Sequence, residues 1–337
     1  MSAELRAGRW RLFAACGLAL VFAVGTLAWE MVEEIRQAQP GASGRLLMPQ
    51  RGGLVVFDFA TRQSRELLPA AQNSTVTAAT WSPDRARVAY AQFHRRPDDT
   101  VSSSELFVLP TAGGTPDLIV PRDRPGTLLD TPVWAPDGRM LYFAYQGLDG
   151  RRPVVRVERI GMPGGGTPQV LYEDASFPAL SPDGRAVVFV KDDPAGQGLW
   201  VGASDGGDAR EMLQAGLFKA IMGPRFAPDG SRVAFTAQGS GPQANAGSRA
   251  TSLLEWFRVP VAEAHGEPWN IWTVRPDGTD PRRLSFLQED EPLVAWSPDG
   301  RWLAVLGTGG LWLLDPSGVR DPQRIGEGSF GAIDWAS

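Results

Sequence analysis

A single cysteine, Cys16, stands among the 337 residues, so no disulfide framework and no thiolate metal site can be built. Histidine is nearly as scarce: the chain has only His94 and His265, both in irregular stretches with no further ligand set beside them. The one Gly-x-Ser-x-Gly string, Gly202-Ala203-Ser204-Asp205-Gly206, falls in the Ser204-Asp205-Gly206-Gly207 turn between two strands and not in a strand-to-helix elbow, so it lends no support to nucleophilic hydrolysis. An excess of basic residues is also missing. Lys and Arg number 33 against 38 Asp and Glu, a net charge of -5, so there is no electrostatic footprint for DNA or RNA. These absences lead us to expect no catalytic constellation, no cofactor and no metal.

Long hydrophobic runs are limited to one. Residues 12–29 are uninterruptedly apolar, preceded by Arg6, Arg9 and Arg11 and followed by Glu30, Glu33 and Glu34. At helical rise such a run covers about 27 Å, close to the hydrocarbon thickness of a bilayer. The arginine bias places residues 1–11 in the cytoplasm and the rest of the chain on the far side. A cleaved secretory signal is the competing reading, with Thr26-Leu27-Ala28 as its cleavage site. Residues 30–44 read as a short helix and then a Pro/Gly/Ser linker.

What the remainder has is repetition. An aromatic or apolar residue followed by Ser/Ala-Pro-Asp-Gly and an apolar strand recurs at Trp81-Ser82-Pro83-Asp84, Trp134-Ala135-Pro136-Asp137-Gly138, Leu180-Ser181-Pro182-Asp183-Gly184, Phe226-Ala227-Pro228-Asp229-Gly230 and Trp296-Ser297-Pro298-Asp299-Gly300. A sixth copy breaks off at Trp335-Ala336-Ser337. Strand-sized pieces at a period of roughly 40–50 residues are the signature of a β-propeller. Proline presets φ at the first turn position, Asp accepts local backbone hydrogen bonds and Gly supplies positive φ, so each phrase is the hairpin from an inner strand to the next strand outward. The start of the propeller, Gly44-Arg45-Leu46-Leu47-Met48, matches Gly300-Arg301-Trp302-Leu303-Ala304 but lacks an inner strand before it. The broken copy at Trp335 supplies that strand. The expectation is an all-β fold over residues 45–337: a six-bladed propeller of four-stranded antiparallel blades, with one blade shared by the two ends. A hidden seventh blade within 238–268 is the rival, because the interval from Phe226 to Trp296 is the longest.

Strand alternation assigns the loops to two faces. The Ser-Pro-Asp-Gly turns share one face, which is also where the linker enters. The long connections, residues 94–104 and the insertion 238–268, stand on the other. Leu253, Trp256 and Phe257 in the insertion are candidates for a partner-binding anchor, or for a lid packed on the propeller. Asp130 and Glu291, acidic residues leading into inner strands, are candidates for the mouth of the central channel.

Trp-Ser-Pro-Asp-Gly with its apolar strand, and third strands ending at turns such as Ser204-Asp205-Gly206-Gly207 and Arg275-Pro276-Asp277-Gly278, resembles the TolB-type propeller repeat. The resemblance extends over residues 45–337. It implies a six-bladed propeller that works by binding proteins of the cell envelope. TolB's N-terminal α/β domain has no counterpart, and Arg85 replaces the motif glycine in the first copy. The expected function is a membrane-anchored, extracytoplasmic protein-binding or scaffolding module whose protein partner sits on the insertion face. The alternative is a ligand-binding or enzymatic propeller, of lyase or hydrolase type, taking a small molecule at the channel mouth.

Overall fold

The computed structural model describes residues 41–95, 102–239, 241, 269–285, 287 and 289–337. Residues 12–29, His265 and the insertion residues Leu253, Trp256 and Phe257 lie outside the described residues. The propeller forms one compact unit, Ser43–Ser337. Among the described residues no helix is long and apolar enough to cross a membrane.

The described strands form six four-stranded antiparallel sheets. Five are built from consecutive strands. In the remaining one, blade 1, the inner strand Asp334–Ala336 pairs with Arg45–Gln50, aligning Leu46 with Trp335 and Leu47 with Asp334. The other inner strands are Ser74–Trp81, Leu128–Trp134, Ala175–Leu180, Ala220–Phe226 and Leu293–Trp296 in blades 2 to 6. Each inner strand packs against the next around the ring, blade 6 against blade 1 included. In blade 5, Gln238 pairs with Trp269, so 239–268 connects two adjacent strands of one sheet. Six blades close the ring, and no seventh is interposed.

The core lies between blades. In the second strand of blade 4, Val187, Val188, Phe189 and Val190 are all at most 1% exposed. Such a strand is apolar on both faces because both faces meet neighbouring sheets. Each of these side chains contributes on the order of 1.5–3 kcal/mol by leaving water.

The motif turns show why their residues recur. In blade 6 the Ser297 hydroxyl donates to Asp299 Oδ1 (2.6 Å) and accepts the Trp302 N–H (2.9 Å), while the Gly300 N–H donates to the Ser297 carbonyl (2.9 Å). The fourth residue is left-handed in every copy: φ is 70° at Gly138, 71° at Gly184, 72° at Gly230 and 69° at Gly300. Each glycine also abuts the motif proline of the preceding blade. A Cβ on Gly184 would stand 3.0 Å from Pro136 Cδ. Arg85 has the same left-handed backbone, φ 59°, and abuts the closing strand of blade 1. Its guanidinium donates to the Ser337 hydroxyl. The one departure from the motif is therefore tied to ring closure. Gly184→Ala should lose roughly 1–2 kcal/mol through left-handed strain and crowding, whereas Arg85→Ala, already left-handed with a Cβ, should lose under about 0.5 kcal/mol. Urea denaturation of the two variants checks this contrast.

Candidate functional site at the centre of the disc

Inner strands line the centre of the ring, and three of the six are interrupted in the same way. Pairing with the second strand breaks between Asp130 and Val133, between Ser176 and Ala179, and between Met222 and Arg225. The bulges are Thr131-Pro132, Phe177-Pro178 and Gly223-Pro224, with φ of 48°, 52° and 52° at the residue before proline. Proline cannot donate to the ladder, so the strand bends there and re-aims its neighbours.

Two charged residues flank these bulges. Asp130 precedes Thr131 and accepts its N–H (2.8 Å) as well as the Thr77 hydroxyl (3.2 Å). Arg225 follows Pro224 and donates from Nη1 to the Pro224 carbonyl (3.0 Å). A third, Asp334, lies on the closing strand of blade 1. Its Oδ2 accepts the Thr80 hydroxyl (2.9 Å) and the Trp81 N–H (2.8 Å), and its Oδ1 accepts the Trp335 N–H (2.9 Å). All three are half-buried. Arg225 is close enough to both carboxyls to act on their ionisation. Burial pushes Asp130 and Asp334 above the usual carboxylate range, and their hydrogen bonds and the guanidinium only partly offset it. Burial likewise pulls Arg225 down against the opposing pull of Asp334 and Asp130. Among the described residues the guanidinium makes no direct ion pair with either carboxyl but lies within electrostatic reach of both, so blades 5, 1 and 3 are coupled by charge at the centre of the ring, with an excess of one negative charge when all three are ionised.

Of the sequence candidates, Asp130 belongs to this trio. Glu291 does not: it is exposed, left-handed (φ 45°) and precedes Pro292 on the approach to blade 6. Its neighbour Glu289 is buried, accepting the Gly309 N–H and the Trp312 indole N–H, both at 2.7 Å. That carboxylate holds a loop. His94 is a correction, because it ends a strand instead of sitting in an irregular segment. It pairs with Ser103, and its Nε2 lies 3.2 Å from Glu105 Oε2. Trp81, Trp134, Trp296 and Trp335 are all at most 9% exposed, as blade packing requires.

Sequence reasoning missed Arg225 and Asp334, although a signal was present. The residue just before the motif aromatic or apolar position is Thr80, Val133, Ala179, Arg225, Ala295 and Asp334 in successive copies. Only two copies place a charge there, and these are the two that interact.

The face opposite the motif turns carries exposed apolar side chains. Leu148 (41%) is near the second-to-third hairpin of blade 3, and Leu217 (37%) and Phe330 (51%) are in connections that lead into the inner strands of blades 5 and 1.

No protein-family model and no curated protein sequence matches the chain. Solved structures do. TolB from Acinetobacter baumannii is similar with a TM-score of 0.58 and 15% identity, over 93% of this chain and 72% of that one. A chain of a nidogen/laminin complex gives 0.62 and 14%, over 88% and 99%. An oligogalacturonate lyase in complex with manganese gives 0.51 and 14%, over 84% and 74%. At these identities the likeness is one of fold, and the fold is that of a TolB-like six-bladed β-propeller.

Proposed function

We propose that this chain is a membrane-anchored, extracytoplasmic β-propeller that binds a protein partner through the face carrying its two long connections. The observation that carries the reading is the placing of Leu148, Leu217 and Phe330 on that face at 37–51% exposure. Apolar side chains held open on rigid connections are what a protein interface uses. The rim there also offers Glu291, exposed at the approach to blade 6. A propeller of this shape occurs in a nidogen/laminin complex, which supports the use of the fold in protein assembly. The anchor in this proposal is the apolar run 12–29, and the chain enters the propeller at Arg45 beside Ala336, on the motif-turn side.

A second reading, a small molecule taken at the channel, has the Asp130–Arg225–Asp334 trio in its favour and a lyase among the similar folds.

Site-specific photocrosslinking in intact cells separates the two. A photoreactive residue at Phe330 should yield a discrete protein adduct, and one at Val319, 83% exposed on the motif-turn side, should not. Equal yields from both positions, or none from Phe330, would sink the protein-binding reading.

A further inference from the structure

The seam between blades 4 and 5 is left open. Where the second strand of each blade begins, the residue before the partner of the motif position is Arg45, Arg87, Met140, Ala186, Arg232 and Trp302 in blades 1 to 6. Five are long side chains; Arg45 and Arg232 turn to their own blades, at Asp58 and at Thr273 and Asp280, while Arg87 reaches the next one. At the seam of blades 2 and 3 the Arg87 guanidinium lies 4.8 Å from the centre of the Trp134 ring and covers it. At the seam of blades 4 and 5 the same two places hold Ala186 and Phe226. The volume that an arginine and an indole occupy elsewhere is open here as a groove of about 520 Å³ on the motif-turn face, floored by Ala186, Val201 and Phe226 with Pro276 at its side.

Charge limits what can enter. Asp183, Asp208 and Asp229 border the groove, against Arg185 and Arg210. The Arg210 guanidinium is committed to the Pro276 carbonyl (2.8 Å). Asp183 and Asp229 each use Oδ1 to brace their own turn, at the Arg185 N–H and Ser181 hydroxyl and at the Ser231 N–H and hydroxyl. Their Oδ2 atoms make no bond among the described residues, so an incoming cation finds acceptors on both sides of the apolar floor.

We propose that the seam between blades 4 and 5 is a second binding site, which takes from a partner protein a peptide segment carrying an aromatic side chain next to an arginine or lysine. The occupant reproduces what the protein itself inserts at the seam of blades 2 and 3. This proposal is independent of the partner face above, since the groove lies on the opposite side of the disc.

The test uses the full chain in neutral phosphatidylcholine nanodiscs and a fluorescein-labelled Gly-Arg-Trp-Arg-Gly peptide, followed by fluorescence polarisation. Binding should weaken at least about tenfold, or 1.4 kcal/mol, when Trp becomes Ala or both Arg become Glu in the peptide. It should weaken as much in the Ala186→Arg/Phe226→Trp variant, which refills the seam as in blade 2 and should melt no lower than wild type. If that variant does not fold, Ala186→Met, the residue blade 3 uses, replaces it. Equal binding of the alanine peptide, or full binding by a refilled variant, overturns the site. So does self-association, or attachment to anionic vesicles, that refilling abolishes while no peptide binds, since either assigns the groove to another occupant.

Discussion

Arg225→Met should cost about 1–3 kcal/mol of stability at mildly alkaline pH, and the deficit should shrink steadily on acidification toward about pH 5. The side chain lies within electrostatic reach of Asp130 and Asp334, and its charge favours ionisation of both. Methionine keeps the length and removes the charge, leaving two carboxyls in poorly solvated surroundings with no counter-ion from this position. The sign follows from linkage. A carboxyl raised in the folded state binds its proton more tightly there than in the unfolded chain, so its contribution is fully present below the unfolded value and is lost as pH rises through the folded one. In wild type both carboxyls are already raised by burial. Without Arg225 they rise further, so the loss becomes larger and extends to higher pH. Protonating one carboxyl then substitutes for the missing cation. The motif-turn aspartates run the other way. Hydroxyl bonds from Ser82 and Ser181 hold Asp84 and Asp183 below the usual range, so their contribution is lost as pH falls. Because that term is common to both proteins, it cancels in the difference between them. Urea denaturation of wild type and Arg225→Met across this pH range is the measurement. A difference that stays constant with pH would mean that the guanidinium packs in the channel without balancing the carboxyls.

Much of this protein could be read from repetition, because a motif seen six times averages out what is accidental in any one copy. Blade number, the inner-to-second hairpin and the split blade all followed from where the phrase occurs and where it stops. Arg85 was visible as a departure, but its reason was not. Only the ring geometry shows that its neighbour is the closing strand, where the Ser337 hydroxyl accepts from its guanidinium. The channel trio was harder, since its members come from three copies and an interaction across a ring leaves no trace in local spacing. Asp130 drew notice as an acid before an inner strand, and Glu289 stands in the same kind of place beside Glu291. In the structure one lies within electrostatic reach of a guanidinium from another blade, and the other is spent on an indole N–H and a backbone N–H. Carboxylates alike in sequence context were separated only by which blade's residues reach them. The unfilled seam is the converse case. Ala186 is an ordinary strand residue by itself, and it becomes informative only beside the long side chains at the same register in the other five blades.

Trp335→Ala should be the most damaging of the motif aromatic truncations, at about 3–5 kcal/mol, because this tryptophan holds an end of the chain as well as a seam. Its ring stacks on Phe59 (4.3 Å between centroids, 11° between planes), its Nε1 donates to the Ser43 carbonyl (2.8 Å), and it is 6% exposed. The strand it sits on, Asp334–Ala336, pairs with blade 1 through only three registered residues. In the other blades the inner strand is continued by its own hairpin, so losing one ring leaves a cavity. Here the strand can leave altogether. That would bare the edge of Arg45–Gln50 with its buried Leu46 and Leu47, an unpaired edge of the kind that recruits other chains. It would also withdraw Asp334 from Arg225, so the two variants should not be additive. In a double-mutant cycle, Trp335→Ala with Arg225→Met should show a coupling of more than about 1 kcal/mol, whereas Phe189→Ala, inside blade 4, should add to Arg225→Met within about 0.5 kcal/mol. Size-exclusion chromatography of Trp335→Ala should show concentration-dependent association that Phe189→Ala lacks. Additivity of both pairs would mean that ring closure and the channel trio are energetically separate, and the closing strand would then be a seam like any other.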